Sequence, residues 1–158
     1  MKNGLKPYPP ALLSGASLVL LMSVLPAAAA PARQGPVRLD GAVQTIQSAF
    51  RRGEASRLRS LLPREGRIYL SVPSLTSGRG YFSAGQCESI LAEAFRRHPP
   101  QDFRTDPPQQ EEDGRATLQG HMKVTGRRGK TVSLILHFLL SQEDEVWYLR
   151  EIREHQPA

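Results

Sequence analysis

The 158-residue sequence holds one cysteine and one tryptophan, and only 6% of it is aromatic. A lone Cys87 excludes a disulfide scaffold within the chain and a cysteine-ligated zinc centre. No glycine-rich phosphate loop follows a predicted strand: residues 78–80, GRG, belong to a turn, and neither GxGxxG nor a P-loop occurs. The serine-hydrolase elbow, HExxH and internal repeats are missing too. The chain has 21 Lys+Arg against 15 Asp+Glu, a net charge of +6. Its aromatic residues form no base-stacking platform, so nucleic acid is not an expected partner. The length points to one domain.

The N-terminus reads as an export signal. Lys2 and Lys6 precede an apolar run over 11–25, ALLSGASLVLLMSVL, which Pro26 breaks. Residues 27–30, all alanine, then supply small side chains for a signal peptidase. Cleavage after Ala29 fits better than after Ala30, which would set Pro31 beside the cut; cleavage after Ala32 is the remaining option. The alternative is a retained membrane anchor over 11–30, which just reaches the ~20 residues a bilayer needs. Pro26 and the weakly apolar alanines argue for a cleaved signal. No cysteine lies near the cut for lipid attachment, and no twin-arginine pair precedes it. The expected organisation is a signal peptide over 1–29, a flexible leader over 30–38, one domain over 39–154 and a tail over 155–158. The expected location is secreted or periplasmic, with no stable membrane span after cleavage. Loss of two lysines and no acid takes the charge from +6 to +4. Cys87, beside Glu88 in a predicted helix, reads as a small core residue and not as a thiolate nucleophile.

Within the domain, Val43, Ile46 and Phe50 recur at helical spacing, which predicts a helix over 39–52 with Asp40 as N-cap and Gly53 as its stop. A second short helix is expected over 55–62, ended by Pro63. Residues 67–72, RIYLSV, alternate as a strand; Tyr81 and Phe82 can make a short one. Ser83 and Gln86 form a capping-box pattern before a helix that ends near Arg96, Arg97 and His98. Phe103 to Thr105 can be an edge strand, and 106–114 reads as an exposed loop. Three strands over 115–125, 130–141 and 146–153 make a meander.

Polarity fixes a register for that meander. Residues 116, 118, 120, 122 and 124 meet the apolar even positions 132–140 only across an odd-length loop. Arg127, Arg128 and Gly129 supply it, with Gly129 in the left-handed position, so Gly120 falls opposite Leu136. For the next loop, 142–145, a four-residue turn sets Leu140 opposite Trp147, Phe138 opposite Leu149 and Leu136 opposite Glu151.

The order helix–helix, strand, strand, helix, strand, meander resembles the nuclear transport factor 2-like, or SnoaL-like, cystatin-like cone. The stretches that carry the resemblance are AVQTIQSAFRRGEASRLRSLLP, YFSAGQCESILAEAF, KTVSLILHFLL and VWYLREIRE. More narrowly it is similar to small secreted bacterial domains of unassigned function. The resemblance implies an α+β fold: a curved mixed, mainly antiparallel sheet wrapped around the N-terminal helices as a cone-shaped roll. It also implies that the sheet face can form a homodimer. Catalytic members of the superfamily hold an Asp, His or Tyr acid/base pair inside the cone. No matching Asp/His pair stands at the corresponding positions here, and the cone-facing positions are aliphatic.

Candidate binding residues are Tyr69, Gly120, Leu136, Trp147 and Glu151. In the unbulged register Glu151 faces a cavity left by Gly120, where its carboxyl could act as a general base. A bulge after Leu149 would instead turn Ile152 inward and Glu151 outward, toward Arg150 or Arg153. His121 and His137 share the outer face but lack a third ligand, so neither a metal nor a cofactor is expected. The basic pairs Arg51-Arg52, Arg96-Arg97 and Arg127-Arg128 read as solvated helix and hairpin ends. The expected function is an exported non-catalytic domain that binds a small apolar ligand or an envelope protein. The alternative is a small-molecule isomerase or lyase using Glu151 and Tyr69. The export reading predicts that N-terminal sequencing of the exported protein begins at Ala30; an intact Met1 would refute cleavage.

Overall fold

A computed structural model of the protein describes residues 38–155. The signal segment, its cleavage site, leader residues 30–37 and residues 156–158 lie outside the described residues. Among the described residues no helix is long and apolar enough to cross a membrane.

Helix α1 (Leu39–Arg52) buries Ala42, Val43, Ile46, Ala49 and Phe50. Gly53 ends it in the left-handed region at φ 68°, a conformation glycine adopts without a side-chain clash. Asp40 is not the N-cap: it lies in the first turn, and Arg38 holds the cap position without a side-chain bond. Leu39 packs against the core and so belongs to the helix, while Asp40 still suits the positive end of the helix dipole. The next helical segment is shorter and tighter than expected, a 3-10 helix over Ala55–Ser60. Helix α2 (Ala84–Arg97) starts with the expected capping box. Ser83 Oγ accepts from the Gln86 N–H at 3.4 Å, and Gln86 Oε1 accepts from the Ser83 N–H at 3.0 Å.

The strands are β1 (Ile68–Ser71), β2 (Arg79–Phe82), β3 (Pro100–Thr105), β4 (Gln109–Gln110), β5 (Arg115–Thr125), β6 (Thr131–Glu143) and β7 (Val146–Glu154). Their order is β2-β1-β7-β6-β5-β3, with β4 also paired to β5. Only β1–β7 is parallel, so the sheet is mixed and mostly antiparallel. Two edges differ from expectation. Strand β3 starts at Pro100, and the 106–114 segment holds β4, whose two glutamines pair with Thr117 and Ala116.

The β5–β6 register is the expected one, with Gly120 opposite Leu136. Its turn closes with the Gly126 N–H donating to the Lys130 carbonyl at 2.7 Å. Arg128 joins Gly129 at positive φ, 61° and 72°. The β6–β7 hairpin is not the expected one. Its loop is two residues, Asp144 and Glu145, both at positive φ (47° and 64°), as a primed hairpin turn requires. Gln142 therefore faces Trp147, and Leu140 faces Leu149. Arg150 is then an extra residue, because Leu139 pairs with Glu151 and Phe138 with Ile152. This is the bulge after Leu149 that the sequence offered as the alternative to the unbulged register. It rotates β7 by one residue, so Ile152 is fully buried and the carboxylate of Glu151 is spared an unpaired interior position.

Phe50 on α1 organises the core. Its ring centroid lies 5.2 Å from Phe95, 5.1 Å from Phe103 and 5.1 Å from Phe138. Phe103 and Phe138 meet edge-on at 6.1 Å, an arrangement the ring quadrupoles favour. A Cβ on Gly120 would lie 2.7 Å from Phe103 Cζ and 3.0 Å from Phe138 Cε2. The space that Gly120 leaves is filled by those two rings. Phe138→Ala is expected to cost about 3–5 kcal/mol and Gly120→Ala about 1–3 kcal/mol in urea unfolding. A Gly120→Ala protein of unchanged stability would contradict this packing.

Candidate functional site

The five candidate binding residues do not form one site. Leu136 is fully buried and Trp147 is 3% exposed, and Gly120 seats the phenylalanine rings. All three are core. Tyr69 and Glu151 lie on the other side of the sheet, paired with each other across β1 and β7. Of the two readings of Glu151, the structure has the bulge after Leu149, which turns the carboxylate outward toward Arg153, and aromatic rings occupy the space beside Gly120. No buried residue among the described ones is polar or charged.

On the outer face Glu151 forms an ion pair with Arg153, whose Nη2 donates to Oε2 at 3.0 Å. The Arg153 guanidinium lies over the Tyr69 ring, 4.8 Å from its centroid. Tyr69 in turn meets Tyr81 edge-on at 5.1 Å. Strand pairing orders these groups in two rows. One runs Tyr81, Tyr69, Glu151, Leu139, Thr117; the next runs Arg79, Ser71, Arg153, His137, Gln119. The bulge residue Arg150 braces the hairpin by donating to Ser141 Oγ at 2.8 Å and pairing with Glu143.

His121 and His137 do not meet. His121 faces Ile135 and His137 faces Gln119. His121 Nε2 lies 3.1 Å from Asp106 Oδ2, and His137 approaches His155 with ring centroids 5.4 Å apart. Among the described residues no cluster of three or more His, Cys, Asp or Glu is placed to hold a metal ion.

Two grooves flank the loop between β1 and β2. The first, about 430 Å3, lies between that loop, Arg97 and His98 at the end of α2, and Val124, Gly126 and Val132 of the β5–β6 hairpin. The second, about 380 Å3, is lined by Tyr69, Ser71, Thr76, Ser77, Arg79 and Arg153, among others. The loop between them is held firmly. Leu75 is buried in the core, and the Thr76 N–H donates to the Val72 carbonyl at 2.8 Å. The Glu154 carboxylate accepts from the Ser74 N–H at 2.9 Å and from Ser74 Oγ at 2.5 Å. In the sequence this stretch is polar apart from one residue between Pro73 and Gly80. The single apolar Leu75 within it was the available signal of an anchored loop.

The basic helix ends are tied within the fold. Arg96 and Arg97 both pair with Glu93, and Arg51 Nη2 donates to the Phe103 carbonyl at 3.2 Å. Arg59 joins the 3-10 helix to α2 through Glu88, with Nη2 to Oε1 at 2.7 Å. That hydrogen bond holds the Glu88 carboxyl below its usual range.

No family model and no curated protein matches the chain. Solved structures match it at low identity. A DUF4783 family protein from Bacteroides uniformis is 13% identical, with a TM-score of 0.59 over 73% of this chain and 96% of its own. A substituted form of Rd1NTF2_05 is 16% identical, with a TM-score of 0.55 over 72% and 92%. A hypothetical protein with a ketosteroid isomerase-like fold from Catenulispora acidiphila, in complex with trimethylamine, is 10% identical. Its TM-score is 0.56 over 73% and 84%. The fold of this chain is the nuclear transport factor 2-like cone expected from its element order.

Burial pushes the Cys87 thiol up from 9.0 to about 11. The unfolded chain then loses this proton first as the pH rises, so the contribution of Cys87 to stability is full below about pH 9 and declines toward pH 11. A Cys87→Ala protein is expected to lack that part of the alkaline decline in urea unfolding. Wild-type thiol should resist Ellman's reagent at pH 8 until the chain is unfolded; fast labelling of the native protein would contradict the burial.

Proposed function

We propose that this chain is an exported domain that binds and does not catalyse, and that its working surface is the outer face of the sheet. The packed interior carries this reading. A catalytic cone needs an acid or base lining a cavity open to substrate. Here Phe50, Phe103, Phe138, Met122, Leu118 and Leu136 fill the interior, and each is at most 1% exposed. The same packing argues against a small apolar ligand inside the cone and leaves a protein as the partner. The one carboxylate considered as a base, Glu151, lies outside, in its ion pair with Arg153.

The outer face has the composition of a protein contact. Tyr69, Ile135, Leu139 and Tyr148 are half-buried, and Tyr81 is 64% exposed. Aromatic groups ringed by charge are common at the centres of interfaces. The face carries both signs of charge, Glu151 and Arg153, so a two-fold pairing of the face with itself is electrostatically self-complementary. A second copy of the chain is the partner this favours, with an envelope protein as the other outcome. Export rests on the N-terminal signal pattern.

The reading predicts concentration-dependent self-association in sedimentation or light scattering, weakened by Tyr81→Glu. It also predicts that steroid-like or other apolar compounds leave the melting temperature unchanged. An interior ligand at a hundred times its Kd would stabilise by about 2.7 kcal/mol, and a melting shift of that size would overturn the closed-interior reading.

A further inference from the structure

The geometry points to a second binding feature: we propose that the groove beside β2 is an oxyanion site, with Arg79 and Arg153 as its cations and Ser71 between them. Ser71 pairs with Arg79 on one side and with Arg153 on the other. All three therefore occupy one row on the outer face. Strand spacing sets the two arginine backbones roughly 10 Å apart, a span that two guanidinium groups close from either side. The hydroxyls of Ser71, Thr76 and Ser77 line the same groove.

The charges in the groove leave room for an incoming anion. Glu154 is committed to the Ser74 N–H and hydroxyl. Glu151 takes Nε and Nη2 of Arg153, while Nη1 has no partner among the described residues. Stacking on Tyr69 fixes the plane of the Arg153 guanidinium. Arg79 is exposed and has no carboxylate partner among the described residues. The other groove differs in this respect, because its Arg97 is held by Glu93. A planar guanidinium matches carboxylate, phosphate and sulfate with paired hydrogen bonds. The ligand class is accordingly a small molecule, or an exposed group, that carries one of these oxyanions.

The site stands on strand register and charge; because Arg153 also belongs to the face proposed to pair with a second copy, the site is read on the protein diluted until sedimentation shows the monomer. The test is calorimetric titration of the purified protein with inorganic phosphate, sulfate and acetate. Saturable binding is expected. Arg79→Gln should weaken it about tenfold. Glu151→Gln should tighten it several-fold, because it frees the paired edge of Arg153. The same charge changes away from the groove, Arg104→Gln and Glu112→Gln, should leave it unchanged. Preference for phosphate and sulfate over acetate would assign a tetrahedral ester or free anion; the reverse would assign a carboxylate. The proposal is overturned if none of the three anions saturates, if Arg79→Gln binds like wild type, if Glu151→Gln fails to tighten, or if Arg104→Gln weakens binding as much as Arg79→Gln does. Sedimentation of the same variants reads the pairing of the sheet face separately.

Discussion

The architecture depends on one cluster of rings. Phe50 from the first helix touches Phe95 from the second and Phe103 and Phe138 from two strands. Four elements distant in sequence are thereby fixed around one side chain. The cluster fits because Gly120 on β5 offers no Cβ where the rings of Phe103 and Phe138 approach. In a catalytic cone this volume would be a place for substrate. Here it is a place for aromatic carbon, and burial of such area is among the larger stabilising contributions a small domain has.

A second constraint follows from matching a short turn to that core. The two-residue loop at Asp144 and Glu145 sets Leu140 against Leu149. Continued without a break, the alternation of β7 would bring Glu151 under the sheet. The extra residue at Arg150 shifts the phase, so Ile152 enters the core and Glu151 remains outside. Arg150 then bonds across the hairpin to Ser141 and Glu143. One bulge thus decides both the packing of the last strand and the chemistry displayed on the opposite face.

Much of the fold was legible because its signals are local or periodic. The helix over 39–52, the Ser83–Gln86 box and the even-numbered apolar face of β6 each follow from spacing alone. The one exposed exception on that face is Val132, next to the β5–β6 turn. The β6–β7 turn was misread because Asp144 and Glu145 are unusual at positive φ, where asparagine and glycine are the ordinary signals. The site was less legible than the fold. Gly120 pointed correctly to space beside β5, but which side chains fill it depends on Phe103 from a distant strand. The array of Tyr69, Arg79 and Arg153 arises from three strands, and no pattern within any one of them discloses it. The Glu154–Ser74 contact spans 80 residues and has no local signature at all.

The parallel pairing of β1 with β7 ties the beginning of the sheet to its end. Strand β1 lies between β2 and β7 in the strand order, so it keeps a bare flank until the last nine-residue strand has been made. Sequence-distant pairing of this kind slows folding, because the entropy of closing the loop is lost before the contact is gained. Closure of the sheet must therefore wait until β7 has been made. Until then β1 and β2 are a hairpin without their inner neighbour, and the last strand of the sheet to be made is the one that joins them to the meander.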